Sequence, residues 1–266
     1  MAARILHLSD SHVGRGEDLA PLLAVRELGA ALRPDLLVAT GDMTHRGRPQ
    51  QMQRAAQILH DLELPLFAVP GNHDIPYTFP ARFTRTFEQW ERAYGDTQPV
   101  YSSDSLVVVG LNSVRPWRQQ SGALNPDQLE LVASRLRAAP PEAYRVVALH
   151  HHVAAPPWPA KRKRPIRDRG GVLRALANAG AELVLSGHVH QVGLAERREF
   201  EALDGESHRT LVLATAPGIG RPRPHRRGET RGVNVYDVEA DALTVTTFMW
   251  EGNDFAEVGR RRFPRG

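Results

Sequence analysis

Short apolar runs alternate with amphipathic stretches along the first part of the chain. Residues 4–8, 36–39 and 64–69 are brief, almost uninterrupted apolar runs, and they predict three buried strands. Between them, residues 18–32 and 49–62 carry apolar side chains at helical spacing, which predicts two amphipathic helices. This alternation of strands and helices predicts a parallel βαβαβ unit.

The same alternation continues through the middle of the chain. Residues 106–111, 146–149 and 182–185 predict further buried strands, and residues 125–137 and 169–179 predict the helices that accompany them. An aromatic-rich stretch at residues 75–98 has near-helical spacing, so we expect a helix that packs onto the core.

The pattern changes after residue 190. Residues 191–202, 208–215, 232–239 and 242–250 are alternating or β-branched runs separated by turns, which predicts antiparallel strands. No internal repeat or long linker divides the chain, so we expect a single domain over residues 1–266. The prediction is an α/β fold with a parallel βαβαβ first half and a mixed or antiparallel C-terminal sheet.

Polar residues follow five of the predicted strands at the point where each one ends. Parallel α/β sheets gather their functional groups at the carboxyl ends of the strands, so we expect these side chains to converge. Within an extended segment, residues two apart point the same way, so Asp10 and His12 can face one target. The candidate ligands are Asp10, His12, Asp42, Asn72, His150, His188 and His190.

This donor set restricts the chemistry. The chain has no cysteine, so thiolate metal sites and disulfides are excluded. The remaining nitrogen and oxygen donors suit divalent Mn, Fe, Zn, Co or Ni without choosing among them. Seven donors are too many for one ion and about right for two ions that share a carboxylate. Two such ions can clamp a phosphoryl group and activate a bridging water for attack.

The motifs, in order, resemble those of the calcineurin-like metallophosphoesterase superfamily. The matching residues are Asp10-x-His12, Gly41-Asp42, Gly71-Asn72-His73-Asp74, His150 and Gly187-His188-x-His190. The opening strand and the triple histidine at residues 150–152 look most like the bacterial class III cyclic-nucleotide phosphodiesterases. The resemblance implies a four-layer α/β/β/α sandwich.

The resemblance also implies a role for each residue. One metal ion would be bound by Asp10, His12 and His190, and the other by Asn72, His150 and His188. Asp42 would bridge the two ions. His73 would stabilise the transferring phosphoryl group and protonate the leaving oxygen, and Asp74 would orient its imidazole.

Three further histidines need a placement. His151 remains open as an alternative ligand to His150, and His152 is expected to face outward. His45 follows Asp42 closely, and we expect it to be a solvated loop residue rather than part of the cleft.

The implied function is hydrolysis of a small phosphodiester, such as the 3′,5′-cyclic nucleotide cAMP, by a metal-bridging hydroxide. Two divalent ions opposed by Asp10, Asp42 and a hydroxide leave one positive charge, which suits a diester monoanion. A phosphomonoesterase and a phospholipid or glycerophosphodiester headgroup hydrolase remain open as alternatives. A nuclease is disfavoured because the basic residues do not line a helix. A non-catalytic scaffold is disfavoured because no ligand is missing.

The overall charge adds one question about the substrate. The net charge is +4 and the sequence pI is about 9.8, with arginine-rich loops at residues 161–169 and 221–231. These loops either contact phosphate oxygens or are solvated surface.

No apolar run approaches the roughly 20 residues of a membrane span. The first residues run directly into a strand without a signal-peptide core, so we expect a cytoplasmic protein. A homodimer remains open.

Overall fold

Two six-stranded sheets form the centre of the molecule. The computed structural model describes residues 3–14, 16, 18–160, 163–199, 210–223 and 226–265. The first sheet contains β1 (Ala3–Leu8), β2 (Leu36–Ala39), β3 (Leu66–Ala68), β10 (Gly232–Val238), β11 (Ala242–Trp250) and β12 (Phe255–Pro264). The second contains β4 (Val100–Ser102), β5 (Leu106–Leu111), β6 (Tyr144–Leu149), β7 (Leu183–Ser186), β8 (Gly193–Glu196) and β9 (Val212–Thr215).

Both sheets mix parallel and antiparallel pairs. The first has the order β12-β11-β10-β1-β2-β3, in which β1, β2 and β3 are parallel and the other pairs are antiparallel. The second has the order β4-β5-β6-β7-β9-β8, in which only the edge strands β4 and β8 pair antiparallel. The carboxyl ends of β1, β2 and β3 in one sheet and of β6 and β7 in the other carry the candidate ligands.

Helices cover the outer face of each sheet. They are α1 (Ala20–Leu32), α2 (Pro49–His60), α3 (Ala81–Thr84), α4 (Glu88–Tyr94), α5 (Pro126–Arg137) and α6 (Arg169–Asn178). A 3₁₀ turn follows β8 at Arg197–Glu199. The helix α5 begins with a complete capping box, because Asn125 accepts from the backbone of Gln128 and Gln128 bonds back to Asn125.

Three apolar clusters fill the spaces between these layers. One lies between the two sheets and includes Ile5, Val38 and Val146. A second joins the first sheet to α1, α2 and α4, where Trp90 is fully buried. A third joins the second sheet to α5 and α6. The α/β/β/α sandwich is therefore confirmed.

The C-terminal strands differ from the expectation of a sheet of their own. They divide between the two sheets, since β8 and β9 complete the second sheet while β10, β11 and β12 extend the first. The physical reason is that β1 has β2 on one side only, so its other edge is available to pair with β10. The strands β4 and β12 had no sequence prediction, and residues 200–202 and 208–209 lie outside the described residues.

The aromatic-rich stretch also differs from its prediction. It forms two short helices, α3 and α4, because the backbone leaves the helical conformation at Arg85 (φ −139°, ψ 43°). Residues 75–80 precede both helices, and their prolines, Pro76 and Pro80, lack the amide hydrogen that a helix interior needs. Only α4 packs into the core, whereas Phe79 and Phe83 are exposed. Among the described helices, none is both long and apolar enough to cross a bilayer. The single-domain organisation stays a prediction.

Candidate metal centre

The backbone turns sharply at the strand ends that carry the ligands. Five ligand residues have a left-handed backbone conformation, which non-glycine residues adopt rarely and at a cost of roughly 1 kcal/mol or more. Such strain persists only where the surrounding structure holds it, and it concentrates at functional sites. The residues are Asp10 (φ 57°), His12 (φ 47°), Asp42 (φ 55°), His188 (φ 72°) and His190 (φ 58°).

Neighbouring turns hold this conformation in place. The amide of Asp10 donates to the Gly41 carbonyl oxygen, and that of His12 donates to the Asp42 carbonyl oxygen, both at 2.9 Å. The turn after β3 presses against the turn after β2 so closely that a Cβ on Gly71 would lie 2.2 Å from the Asp42 amide nitrogen. Glycine is therefore required at position 71 by close backbone approach.

Asp10, His12 and His190 form the first donor group. Nε2 of His190 lies 2.9 Å from Oδ1 of Asp10, and Nε2 of His12 lies 3.2 Å from Nε2 of His190. The same His12 nitrogen is 3.7 Å from Asp10 Oδ1 and 3.8 Å from Asp42 Oδ2. These side chains come from the turn after β1 of the first sheet and from the turn after β7 of the second.

Asn72, His150 and His188 form the second donor group with Asp42. Nε2 of His150 lies 3.2 Å from Asn72 Oδ1, 3.1 Å from His188 Nδ1 and 3.4 Å from Asp42 Oδ1. The two oxygens of Asp42 therefore face different groups, Oδ2 the first and Oδ1 the second. This is the arrangement that a bridging carboxylate requires.

The donor atoms fit divalent metal ions. Asp10 and Asp42 are fully buried, yet Asp10 Oδ1 and Asp42 Oδ2 have no hydrogen bond of acceptable geometry in the described part of the chain. A buried carboxylate oxygen without a partner is costly, and a cation would satisfy it. Nitrogen and oxygen donors in this mixture suit borderline divalent ions.

The pKa shifts of most of these ligand side chains favour the deprotonated forms that bind metal ions. Burial lowers the pKa of His12 and of His188 well below the ordinary value, so both imidazoles keep a free lone pair. Burial alone would raise the pKa of Asp10, but His190 and His150 hold it low. His150 differs, because burial lowers its pKa but Asp42, Asp10 and the Thr40 carbonyl together outweigh burial and raise the pKa to about 9. A metal ion would have to displace that proton.

The remaining ring nitrogens of the second group are fixed by backbone carbonyls. His150 donates from Nδ1 to the Thr40 oxygen at 2.7 Å, and His188 donates from Nε2 to the Gln120 oxygen at 3.2 Å. Such contacts set the tautomer and orient the ligand. Behind His190, the buried carboxylate of Glu229 lies 3.8 Å from Nδ1.

The partners of His73 differ from the expected ones. Asp74 does not contact the imidazole of His73; its carboxylate accepts instead from the backbone amides of Thr44 at 2.8 Å and Gly71 at 2.9 Å. The imidazole of His73 donates from Nδ1 to the His45 carbonyl oxygen at 2.7 Å and lies 2.9 Å from the Tyr77 hydroxyl. The orienting role expected for Asp74 is therefore wrong, because the turn after β3 directs its carboxylate into the backbone.

His45 lies in the cleft, contrary to expectation. Its ring is partly buried and stacks on His73 at 6.0 Å between ring centroids. Donor nitrogens of His12, His45 and His73 lie within 4.8 Å of one another. The sequence signal available was its position three residues after Asp42, which alone does not separate a cleft residue from a loop residue.

The triple histidine is buried throughout. His150 faces the donor groups, whereas His151 directs Nδ1 to the Ser113 hydroxyl at 2.8 Å, so the geometry favours His150 as the ligand. His152 is only 1% exposed and stacks on His188 at 5.8 Å. The expectation that His152 faces outward is wrong, because the segment that follows folds back over it.

The two basic loops contain both solvent-exposed side chains and side chains that are buried or paired within the protein. In the first loop, Arg164 and Arg167 are exposed and Lys163 is buried, while residues 161 and 162 lie outside the described residues. In the second loop, Arg223 pairs with Glu229 at 3.0 Å, and Arg227 lies over Trp158 at 3.5 Å. Arg223 and Arg227 of the second loop therefore have intramolecular partners, whereas Arg221 is exposed. Residues 224 and 225 are not described.

Comparison with known proteins places the chain in one family of enzymes. Residues 3–192 match the family model described as calcineurin-like phosphoesterase. A probable cyclic nucleotide phosphodiesterase of Synechococcus sp. is 30% identical over 165 residues, which cover 62% of this chain and 61% of that protein. The chain thus spans less than two thirds of that relative.

Two further proteins are similar over more of their length. A 3′,5′-cyclic adenosine monophosphate phosphodiesterase of Escherichia coli strain K12 is 28% identical over 238 residues, covering 84% of this chain and 78% of that one. The crystal structure of a dimetal phosphatase from Danio rerio superposes with a TM-score of 0.71 over 99% of both chains at 14% identity. That structural likeness concerns the fold alone.

Proposed function

The chain belongs to the calcineurin-like phosphoesterase family, and from that premise we propose that it is a binuclear metal-dependent phosphodiesterase. Its substrate is a small anionic phosphodiester, with 3′,5′-cyclic nucleotides such as cAMP as the leading class. The observation that carries the proposal is the position of Asp42, whose two carboxylate oxygens face two separate donor groups. The names of the relatives support the choice of cyclic nucleotides.

Each donor group would hold one divalent ion of the Mn, Fe, Zn, Co or Ni class. Asp10, His12 and His190 would hold the first ion, Asn72, His150 and His188 the second, and Asp42 would bridge them. Bound in this way, the two ions would supply Lewis acidity and a water nucleophile of lowered pKa. The protein supplies the fixed positions of the donors, through strained turns and carbonyl contacts.

His73 is the proposed general acid. Its Nδ1 donates to the carbonyl oxygen of His45, so Nε2 is the nitrogen that exchanges a proton. The ring lies 4.8 Å from that of His12, at the margin of the first donor group. From there the imidazolium can stabilise the phosphoryl group and protonate the departing alkoxide. Tyr77 and the His45 carbonyl hold the ring in this orientation.

Reconstitution with single metals tests the proposal. Metal-free protein is loaded separately with Mn²⁺, Co²⁺ and Zn²⁺ and assayed on bis(p-nitrophenyl) phosphate, cAMP, cGMP and glycerophosphocholine. We expect about two ions bound per chain, as two donor groups require, and turnover of at least one cyclic nucleotide. Hydrolysis of glycerophosphocholine in preference to cAMP would favour the headgroup alternative. Absence of diester hydrolysis with every metal would overturn the proposal.

We also propose that the protein is located in the cytoplasm.

A further inference from the structure

Lys163 is an unusual residue in this chain. Lysine occurs only at positions 161 and 163, and every other basic position carries arginine. Lys163 is 7% exposed, whereas the neighbouring Arg164 is exposed to solvent. Lysine is almost never buried without a partner, because its ammonium group loses its hydration. A buried lysine beside a surface arginine therefore indicates a specific role.

The first basic loop passes directly beside the second donor group. The amide of Arg164 donates to the Gln120 carbonyl oxygen at 3.2 Å, and His188 donates from Nε2 to that same oxygen at 3.2 Å. The amide of Ile166 donates to the His152 carbonyl oxygen at 3.1 Å. These bonds place the Lys163 backbone next to His188 and over the triple histidine.

Three buried nitrogen atoms in this region lack hydrogen-bond partners among the described residues. They are Nζ of Lys163, Nε2 of His151 and Nδ1 of His152. The rings of His151 and His152 lie 4.7 and 5.8 Å from that of His188. Buried polar atoms are normally paired, and the ammonium of Lys163 can only donate, so it calls for an acceptor that the described residues do not supply.

The charges that face Lys163 come from several elements. Burial lowers the pKa of Lys163, Asp10 and Asp42 raise it, Arg223 lowers it and Glu229 raises it. After burial, the charge of Lys163 is the largest influence that lowers the pKa of His188. The ammonium of Lys163 is thus close enough to interact electrostatically with the carboxylates of both donor groups. With two divalent cations bound, the two carboxylates would already be neutralised, and the ammonium would need an anion.

We infer that Lys163 is a phosphate-binding residue whose ammonium pairs with phosphoryl oxygens at the metal centre. This contact would let the enzyme hydrolyse phosphomonoesters in addition to phosphodiesters. This inference rests on the proposed function. Two divalent ions opposed by two carboxylates and an anionic nucleophile leave one positive charge, which matches a diester monoanion. The ammonium raises the positive charge to that of a monoester dianion, and a charge-assisted hydrogen bond is stronger than a neutral one.

Variants at position 163 test the inference against a matched neighbour. Lys163→Met keeps the apolar stem and removes the charge, Lys163→Arg keeps a charge, and the control Arg164→Gln changes an exposed residue of the same loop. For Lys163→Met we expect the affinity of the zinc-loaded protein for inorganic phosphate, measured by calorimetry, to fall about tenfold or more. Lys163→Arg should recover part of it, and Arg164→Gln should change nothing.

The ratio of two activities gives the second readout. In Lys163→Met, kcat/KM for p-nitrophenyl phosphate should fall about tenfold more than kcat/KM for bis(p-nitrophenyl) phosphate. Equal losses on the two substrates, unchanged phosphate affinity, or loss of bound zinc would each overturn the inference. Diester hydrolysis by the unaltered protein reports separately on the proposed function.

The unaltered protein provides a test that does not depend on a variant folding. Lysine labelled at Nζ gives signals from two residues only, so position 161 serves as the internal control for position 163. Titration of the zinc-loaded protein with inorganic phosphate should shift one ammonium signal with the dissociation constant found by calorimetry. If phosphate binds and neither signal moves, Lys163 does not contact it.

Discussion

Two buried polar clusters lie next to each other, one on the first sheet and one at the strand ends of both sheets, and they differ in how completely their atoms are paired. The first, here called the strand network, consists of His7, Thr40, Asn234, Tyr236 and Thr247. In it, His7 has both ring nitrogens engaged, Nδ1 with the Tyr236 hydroxyl at 3.1 Å and Nε2 with the Thr40 hydroxyl at 2.9 Å. Asn234 accepts from the Thr247 hydroxyl at 2.9 Å and donates to Tyr236 at 3.2 Å.

The second cluster is the metal centre, whose bridging residue Asp42 lies two positions after Thr40 in the chain. Its carboxylates are as deeply buried as His7, yet Oδ2 of Asp42 has no hydrogen-bond partner within the described residues, and Oδ1 of Asp10 has only the ring nitrogen of His190 at 2.9 Å. Thr40 joins the two clusters, because its hydroxyl contacts His7 while its carbonyl accepts from His150.

The contrast separates polar groups that stabilise the fold from those that bind something. Neutral groups with every partner present contribute to stability. Strained, charged groups with missing partners cost stability and are retained for a ligand. Changes in the metal centre should therefore affect activity and metal content, and changes in the strand network should affect stability alone.

Asp42→Asn should have the largest effect. An amide offers only one neutral oxygen, so both donor groups lose their shared anionic ligand. We expect kcat/KM for bis(p-nitrophenyl) phosphate to fall about a thousandfold or more, with fewer than two metal ions retained, since metal clamping supplies several kcal/mol of the catalysis. Steady-state kinetics and elemental analysis measure the two effects.

The stability of the metal-free protein completes that test. Above about pH 9, where His150 is neutral and no longer forms an ion pair with Asp42, the metal-free variant should unfold at a denaturant concentration no lower than that of the metal-free wild type, because Asp42 is then buried without full pairing. Added metal should stabilise the wild type, and the variant much less. A metal-free Asp42→Asn protein that is strongly destabilised at that pH would assign Asp42 to the fold instead.

His73→Ala should have the next largest effect, and the effect should depend on the leaving group. A nitrophenolate leaves without a proton, whereas a ribose oxygen requires one, so loss of a general acid costs the second reaction more. We expect about a hundredfold loss on cAMP and about tenfold or less on bis(p-nitrophenyl) phosphate, within the range of acid catalysis. Equal losses would indicate phosphoryl stabilisation only, and loss of metal would place His73 among the ligands.

The sequence predicts the frame of the centre well for a physical reason. Apolar runs that end abruptly on Asp, Asn or His mark strand ends, and parallel strands gather their carboxyl ends at one edge. Asp10, Asp42, Asn72 and His150 are found together on that basis. The left-handed turns at Asp10, Asp42 and three of the ligand histidines have no comparable signal, because nothing in the types Asp and His requires a positive φ.

Contacts that depend on the path of the backbone through loops and turns are what the sequence does not reveal. The burial of His152 and Lys163 depends on how the first basic loop folds back over the second sheet. The pairing of Tyr77 with His73, and the diversion of Asp74 into the backbone, depend on the exact path of the turn after β3. Local pattern carries no information on such paths, so these residues were placed by the structure.

The acid sensitivity of the strand network is a smaller effect. Burial lowers the pKa of His7 from 6.5 to about 3. The unfolded chain therefore takes up the proton first, and the stability that His7 contributes is complete above pH 6.5 and is lost as the pH falls towards 3. Between pH 7 and 5 this amounts to about 2 kcal/mol. Urea unfolding of metal-free wild type and His7→Gln should show that the variant loses less stability over this interval. Identical pH dependence would contradict the assignment.

Tyr236→Phe should have the smallest effect and should separate the two clusters most cleanly. Removing the hydroxyl leaves the ring packing intact but takes away a partner of both His7 and Asn234, which are buried. An unpaired buried group costs about 1–3 kcal/mol, so the free energy of unfolding should fall by roughly that amount in denaturant titrations. Metal content and kcat/KM should stay at wild-type values, because the hydroxyl contacts no donor of either metal group. A loss of bound metal would show that the strand network also positions the ligands through Thr40, and that the two clusters act as one.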